Sequence, residues 1–148
     1  MRVQDMLSLK GKVAVVTGGS SGLGVTFAHA LAEEGADIVL AARRLDKMNE
    51  VGDDLSRLGV KVRSIQCDVS NQDQVQSLVD GTLKTFGRLD ILVNNAGVAA
   101  MSPATEISLE DWNRVVSVNL TGTFLCARTA ARQMMKRGGG KIVNIASI

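Results

Sequence analysis

Residues 17–24 form the segment whose residue types and spacing most clearly indicate a chemical role. This segment is a glycine-rich turn with the sequence T-G-G-S-S-G-L-G. Its four glycines permit a tight turn and a close approach of the backbone to a ligand. If a helix begins there, its first N–H groups and its partial positive charge would face a bound phosphate. A tight turn that binds nothing is the alternative, and a strand before the turn with a helix after it favours the ligand. The residues expected to contact a pyrophosphate are Gly18, Ser20, Ser21, Gly22, Leu23 and Gly24.

The elements around this turn alternate between strands and helices. Short runs containing β-branched residues indicate five buried strands, at residues 13–17, 37–41, 60–66, 89–93 and 141–146. Apolar residues recur at helical spacing between the runs, and glycines stand where these helices would end, at Gly35, Gly59 and Gly87. This alternation predicts a parallel sheet with helices on both faces, the doubly wound α/β (Rossmann) architecture. We expect one domain over residues 1–148 that lacks its C-terminal strands and helices, because no helix follows the last strand.

Helix boundaries and faces follow from the same pattern. Ser70 and Ser108 each precede an Asp by three residues, which is typical of a helix start. The longest helix is expected to run from about Trp112 to the glycines at 138–140. The residues predicted to share one face of it are Val116, Leu120, Phe124, Ala127, Ala131 and Met134.

Four further motifs follow the glycine turn in order along the chain. They are Cys-Asp-Val at 67–69, Asn-Asn-Ala-Gly at 94–97, Val-Asn-Leu at 118–120 and Asn-Ile-Ala-Ser at 144–147. Together with the T-G-x-x-x-G-x-G spacing of the turn, they resemble the short-chain dehydrogenase/reductase family over essentially the whole chain. The resemblance implies a dinucleotide cofactor with its adenine at Asp68 and Val69. It also implies that the cofactor lies beside Asn95, Ala96 and Gly97.

The residues after the second predicted strand indicate which dinucleotide is bound. Members of the family that use NAD carry an Asp there, which binds the ribose 2′-hydroxyl and repels a 2′-phosphate. Here Ala42 occupies that position and is followed by Arg43 and Arg44, whose guanidinium groups can bind a 2′-phosphate. Two solvated surface arginines are the alternative. We therefore predict NADP rather than NAD as the cofactor.

The resemblance also implies the chemistry, a hydride transfer between nicotinamide and a small-molecule carbonyl or alcohol. In the family a Tyr moves the proton, a Lys lowers the pKa of that Tyr, a Ser orients the carbonyl and an Asn holds a water. Ser147 and Asn119 match the catalytic Ser and Asn, but the sequence contains no Tyr. Purely structural roles for both residues are the alternative. We expect a truncated, inactive form of such an oxidoreductase, with a non-catalytic dinucleotide-binding module as the alternative function.

Composition excludes several other classes of protein. The net charge is +2 and no basic run of five residues occurs, so nucleic acid is not an expected partner. Residues 13–32 are uncharged, but their central glycines make a poor membrane helix, so no membrane association is expected. Cys67 and Cys126 lie far apart in no metal-ligand pattern, which indicates reduced thiols in a cytoplasmic protein without a metal. A homo-oligomer is expected of a full-length form, and the substrate cannot be read from these residues.

Overall fold

A computed structural model describes residues 6–147 of the chain. These residues form a parallel sheet whose strands are β1 (Val13–Thr17), β2 (Asp37–Ala42), β3 (Val62–Gln66), β4 (Ile91–Asn94) and β5 (Lys141–Asn144). The strand order is β3-β2-β1-β4-β5, so successive connections run outward from β1 in both directions. The doubly wound α/β (Rossmann) architecture predicted from the sequence is therefore confirmed.

Helices connect the strands and cover both faces of the sheet. They are α1 (Leu23–Glu33), α2 (Leu45–Ser56), α3 (Gln72–Phe86), α4 (Leu109–Val116) and α5 (Thr123–Lys136), and a π-helical turn at Ser117–Gly122 joins α4 to α5. Alternate residues of β1 face opposite sides, as the period of a strand requires. Val13 and Val15 pack with α3 and α5, whereas Ala14 and Val16 pack with α1 and α2. Both layers thus bury apolar side chains against the central strand. The burial of each large apolar side chain stabilises the fold by about 1.5–3 kcal/mol.

Two helix starts test the predicted boundaries. Ser108 caps α4, since its hydroxyl accepts a hydrogen bond of 3.0 Å from the Asp111 N–H, and this prediction is confirmed. The predicted start at Ser70 is wrong by one residue. Asn71 caps α3 by accepting two bonds of 3.0 Å from backbone N–H groups, because the Ser70 hydroxyl donates instead to the Asp68 carboxylate.

The residues predicted to share one face of the long helix differ in their burial. Leu120 and Phe124 are 68% and 56% exposed, whereas Met134 is buried. The π-helical turn closes i→i+5 hydrogen bonds and so takes more than 3.6 residues per turn, which rotates the face that follows it. The residues of α5 that are buried are Leu125, Cys126, Thr129, Ala130 and Met134.

The outer strands of the sheet are less buried than the inner ones. All four residues of β5 are exposed, with Ile142 at 37% and Val143 at 47%. Strand β3 is only partly buried. Both strands lie at the edges of the sheet formed by the described residues, so each has a neighbour on one side only.

Candidate functional site

A cleft lies at the edge of the sheet where the strands have their carboxyl ends. Its volume is about 270 Å³, and the segments that follow β1, β2, β3 and β4 line it. The order of the strands reverses between β1 and β4, and this switch point is where open α/β sheets bind ligands. The lining residues that the sequence predicted are Gly18, Ser20, Ser21, Arg43, Arg44, Asp68, Val69, Asn95, Ala96 and Gly97.

The glycine turn leaves strand β1 and enters α1 with little space around it. Gly18 has a φ of +68°, and a Cβ there would lie 2.8 Å from the Asn95 Nδ2 atom. A Cβ on Gly24 would collide with the carbonyl oxygen of Gly18. No side chain caps the first turn of α1, whose N-cap residue is Gly22. The turn therefore places a bare helix N-terminus beside the cleft, where N–H groups and the helix dipole favour an anion.

Three residues of the predicted phosphate site do not line the cleft. Gly22 precedes α1 with a φ of +58°, and the Leu23 side chain is 60% exposed. Gly24 is buried against the turn. Gly24 thus maintains the close packing of helix and strand, and the residues of the glycine turn that line the cleft are Gly18, Ser20 and Ser21.

The buried hydroxyl of Thr17 connects the glycine turn to the segment after β4. Thr17 Oγ1 donates to the Val93 carbonyl at 3.3 Å and accepts bonds of 3.0 Å from the N–H groups of Asn95 and Ala96. The Asn95 side chain returns a bond of 3.0 Å to the Thr17 carbonyl oxygen. These bonds join residues that lie 76–79 positions apart in the chain, so two lining segments are positioned relative to each other before any ligand binds.

The basic side chains of Arg43 and Arg44, which follow β2, form one rim of the cleft. Arg44 Nη2 donates to Ser21 Oγ at 3.4 Å, which links this rim to the glycine turn. The Arg43 backbone carbonyl accepts a bond of 2.9 Å from Gln66 Nε2, which ties the rim to β3. Ala42 lies at the end of β2 and lines the cleft, so no carboxylate from that position offsets the two guanidinium groups.

Asp68 supplies a negative charge close enough to Arg43 for the two groups to interact. Its Oδ1 accepts hydrogen bonds from the Ser70 hydroxyl at 2.7 Å and the Ser70 N–H at 2.9 Å. The hydroxyl bond is the main reason that the pKa of Asp68 lies below its ordinary value, and burial opposes the shift. The Ser70 N–H and the Arg43 charge lower the pKa further. Asp68 is therefore an ionised acceptor at neutral pH.

Several lining residues were not predicted from the sequence as site residues. They are Ala41, Ala42, Cys67, Val98 and Val118. The first three are neighbours of predicted residues, so adjacency to the motifs was the available signal. Burial raises the pKa of the Cys67 thiol to about 11, with a smaller contribution from Asp68, so this lining group is a neutral thiol. Val98 directly follows the predicted Gly97, and Val118 belongs to the Val-Asn-Leu motif, so the same signal was available for them.

The two predicted catalytic residues lie outside the lining of the cleft. Asn119 is on the π-helical turn, and its side chain accepts a bond of 2.8 Å from the Val98 N–H and donates one of 2.9 Å to the Val98 carbonyl. Its amide thus tethers the helix to the loop after β4, as the structural alternative proposed. Ser147 is exposed and follows β5 by three residues.

Two other features of the described residues bear on possible functions. Among residues 6–147, no three His, Cys, Asp or Glu side chains are grouped so that they could hold a metal ion. In the same part of the chain, every helix is too short or too polar to cross a membrane.

Comparison with known sequences identifies relatives of this chain. A family model described as short chain dehydrogenase matches residues 12–148. An uncharacterized oxidoreductase of Thermotoga maritima is 43% identical over 139 residues, and D-threitol dehydrogenase of Mycolicibacterium smegmatis is 42% identical over 139 residues. Both alignments cover 94% of this chain and 54% of the relative. The chain thus spans about half the length of these curated relatives.

Solved structures agree with these relatives. A short-chain type dehydrogenase/reductase from Mycobacterium marinum superposes with a TM-score of 0.96 and 40% identity, covering 99% of this chain and 60% of that one. An NAD⁺-bound xylitol dehydrogenase superposes with a TM-score of 0.90 and 37% identity, and the match covers 93% of this chain and 54% of that one. A metagenomic short-chain oxidoreductase in complex with NADP superposes with a TM-score of 0.89 and 38% identity, and the match covers 95% of this chain and 64% of that one. The sequence and the fold together show that this chain belongs to the short-chain dehydrogenase family.

Proposed function

We propose that this chain is the nucleotide-binding part of an NADP-dependent oxidoreductase that transfers a hydride between nicotinamide and a small carbonyl or alcohol. The observation that carries the cofactor assignment is the rim of the cleft. Arg43 and Arg44 line it, and Ala42 stands where a carboxylate would select NAD. One solved neighbour contains NADP and another NAD⁺, so the choice rests on the side chains of this rim.

The cleft fits a dinucleotide phosphate in donor chemistry. A Cβ at Gly18 would lie within 3.0 Å of Asn95 and Ala96 atoms, so the glycine lets the turn pack directly against the segment that follows β4, and both segments line the cleft. The uncapped N-terminus of α1 favours the negative charge of a pyrophosphate. The ionised Asp68 can accept a hydrogen bond from an adenine amino group, while Arg44 and Ser21 can donate to a 2′-phosphate.

When bound, the nicotinamide ring would supply the hydride chemistry. This chain contributes binding and orientation, with Asn119 holding the loop at Val98 and Ser147 offering a hydroxyl to a substrate oxygen. The sequence contains no Tyr, so the proton donor implied by the family is not among its residues. We therefore propose that the 148-residue chain binds NADP but does not reduce carbonyls by itself.

A comparison of NADPH with NADH binding tests the cofactor assignment. In Arg43→Ala, NADPH affinity should fall by about 1.5–3 kcal/mol, the scale of a hydrogen bond between charged groups, while NADH affinity stays unchanged. Isothermal titration calorimetry measures both. Arg57→Ala is the matched control, because Arg57 is exposed and pairs only with Asp54 at 2.9 Å among the described residues. Equal losses for NADPH and NADH would reject the assignment.

The absence of Tyr supports one competing function, a dinucleotide-binding module without catalysis. The intact mass of the protein from its own source distinguishes the oxidoreductase from the non-catalytic module. A mass above 15.7 kDa, together with carbonyl-dependent NADPH oxidation, would support the oxidoreductase. A mass of 15.7 kDa with NADPH binding and no turnover would support the module.

A further inference from the structure

The connection between β2 and α2 consists of two residues, Arg43 and Arg44, which a single peptide bond joins. The backbone bond that ends the pairing of β2 with β3 runs from the Cys67 N–H to the Ala42 carbonyl at 2.9 Å. The next carbonyl along the chain, that of Arg43, accepts a bond of 2.9 Å from the side chain of Gln66, through its Nε2. A side chain of β3 therefore holds the peptide that joins the two arginines.

The orientation of this peptide affects both guanidinium groups. Rotation of a planar peptide changes ψ of the residue before it and φ of the residue after it. Arg43 lies close enough to Asp68 for the two charges to interact, whereas Arg44 Nη2 donates to Ser21 Oγ at 3.4 Å. The two side chains thus interact with different segments of the cleft, one after β3 and the other in the glycine turn. A phosphate that binds both arginines requires the peptide between them to keep its orientation.

Gln66 is not among the residues that line the cleft. It is the in-register neighbour of Ala42, the position where a carboxylate would select NAD. Its side chain is exposed, and the entropy lost when a long side chain is ordered offsets much of what an exposed hydrogen bond contributes to stability. The main effect of this bond is therefore expected on the geometry of the rim rather than on the stability of the fold.

We propose that Gln66 is a positioning residue that orients the Arg43–Arg44 rim and thereby strengthens the preference of this chain for NADP over NAD. This inference rests on the proposed dinucleotide-binding function and adds a residue that lies outside the cleft. With the Gln66 bond in place, the rim is ordered before the ligand arrives, so less conformational entropy is lost when a 2′-phosphate binds. A dinucleotide without the 2′-phosphate does not use the two guanidinium groups in this way and gains nothing from their order.

The test compares NADP⁺ with NAD⁺, which differ only in the 2′-phosphate, by calorimetry on the 148-residue chain. Gln66→Met removes the amide, keeps the length of the side chain and adds no charge. In this variant, NADP⁺ affinity should fall roughly fivefold, the effect of one lost hydrogen bond, while NAD⁺ affinity stays as in wild type. The urea midpoint without ligand should also stay as in wild type, which separates a role in positioning from one in stability.

Two further variants show whether the effect passes through the arginines. Gln76→Met is the matched control, because Gln76 is also exposed and its Nε2 donates to Asp80 Oδ1 at 3.0 Å on α3. It should bind NADP⁺ and NAD⁺ as wild type does. In a chain that carries both Arg43→Ala and Arg44→Ala, the addition of Gln66→Met should weaken NADP⁺ binding by less than about twofold, because the groups that Gln66 orients are gone.

Equal losses of NADP⁺ and NAD⁺ affinity in Gln66→Met, or no loss of either, would overturn the proposal. A full fivefold loss in the chain without the two arginines would overturn it as well, since Gln66 would then act by another route. If Gln66→Met fails to fold, Gln66→Ser replaces it and should show the same selective loss. If wild type binds NADP⁺ no more tightly than NAD⁺, the proposed cofactor assignment fails and this inference fails with it. A selective loss in Arg43→Ala together with an unaffected Gln66→Met would reject the role of Gln66 alone.

Discussion

Substitution of Gly24 by Ala should destabilise the protein because the site has no space for a methyl group. A Cβ at this position would overlap the Gly18 carbonyl oxygen and lie 2.7 Å from Asn95 Nδ2 and 2.8 Å from the Gly18 carbonyl carbon. Two of these atoms belong to the backbone of the glycine turn, which cannot rotate away as a flexible side chain could. The turn must therefore shift, and the bond of 3.0 Å from Asn95 to the Thr17 carbonyl shifts with it.

The magnitude follows from opposing contributions. Overpacking costs about 1–3 kcal/mol, and weakening a buried hydrogen bond adds about 1 kcal/mol. The better helix propensity of Ala returns less than about 1 kcal/mol, because Gly24 is in the first turn of α1. We expect a net loss of about 2–3 kcal/mol in the free energy of unfolding.

Urea unfolding followed by circular dichroism measures this loss. The midpoint for Gly24→Ala should fall by about 1 M, given a slope near 2 kcal/mol/M. Gly52→Ala is the matched control in α2, since its Cβ would lie 3.5 Å from Val62 Cγ1, an ordinary contact. That variant should gain about 0.5–1 kcal/mol from helix propensity. A midpoint for Gly24→Ala at or above that of wild type would refute the packing argument.

Two further predictions concern ionisable groups. Because the Ser70 hydroxyl lowers the pKa of Asp68, this carboxylate stabilises the fold above its unfolded pKa of 3.8, and the contribution is lost as pH falls through the lower folded value. Asp68→Asn should therefore unfold at a lower urea concentration than wild type at pH 7, and the difference between the two midpoints should shrink towards pH 3. A difference in midpoint that does not depend on pH would contradict this prediction. Burial raises the pKa of Cys67 to about 11 and of Cys126 to about 12, so iodoacetamide at pH 8 should label both slowly in the native protein and rapidly in urea. Site-resolved mass spectrometry checks this, and fast native labelling would show that the thiols are accessible.

Local patterns in the sequence were enough to predict the fold and one side of the cleft. The glycine turn is encoded locally, since Gly18 adopts a φ of +68° at the place where a strand meets a helix. The arginine rim follows β2 directly, so its position depends only on where that strand ends. Alternation of strands and helices leaves few topologies open, because parallel strands require crossovers of one hand.

Burial of the outer elements could not be predicted in the same way. Strand β5 has the apolar composition of a buried strand, yet its residues are exposed. Composition indicates that a residue can be buried, whereas the helices that pack on each face of its strand decide whether it is. Which residues of the long helix are buried could not be predicted either, since the π-helical turn changes the helical period.

The sequence by itself determined the α/β architecture, the glycine turn and the charged rim, because each depends on residues that are close along the chain. Only the tertiary structure decided how the amides of Asn94, Asn119 and Asn144 are used. The Asn94 and Asn144 amides pair across 50 residues of chain, and the amide of Asn119 binds the backbone of Val98. Such partners meet through sheet register and helix packing, so residue types and spacing could name these asparagines but could not assign their bonds.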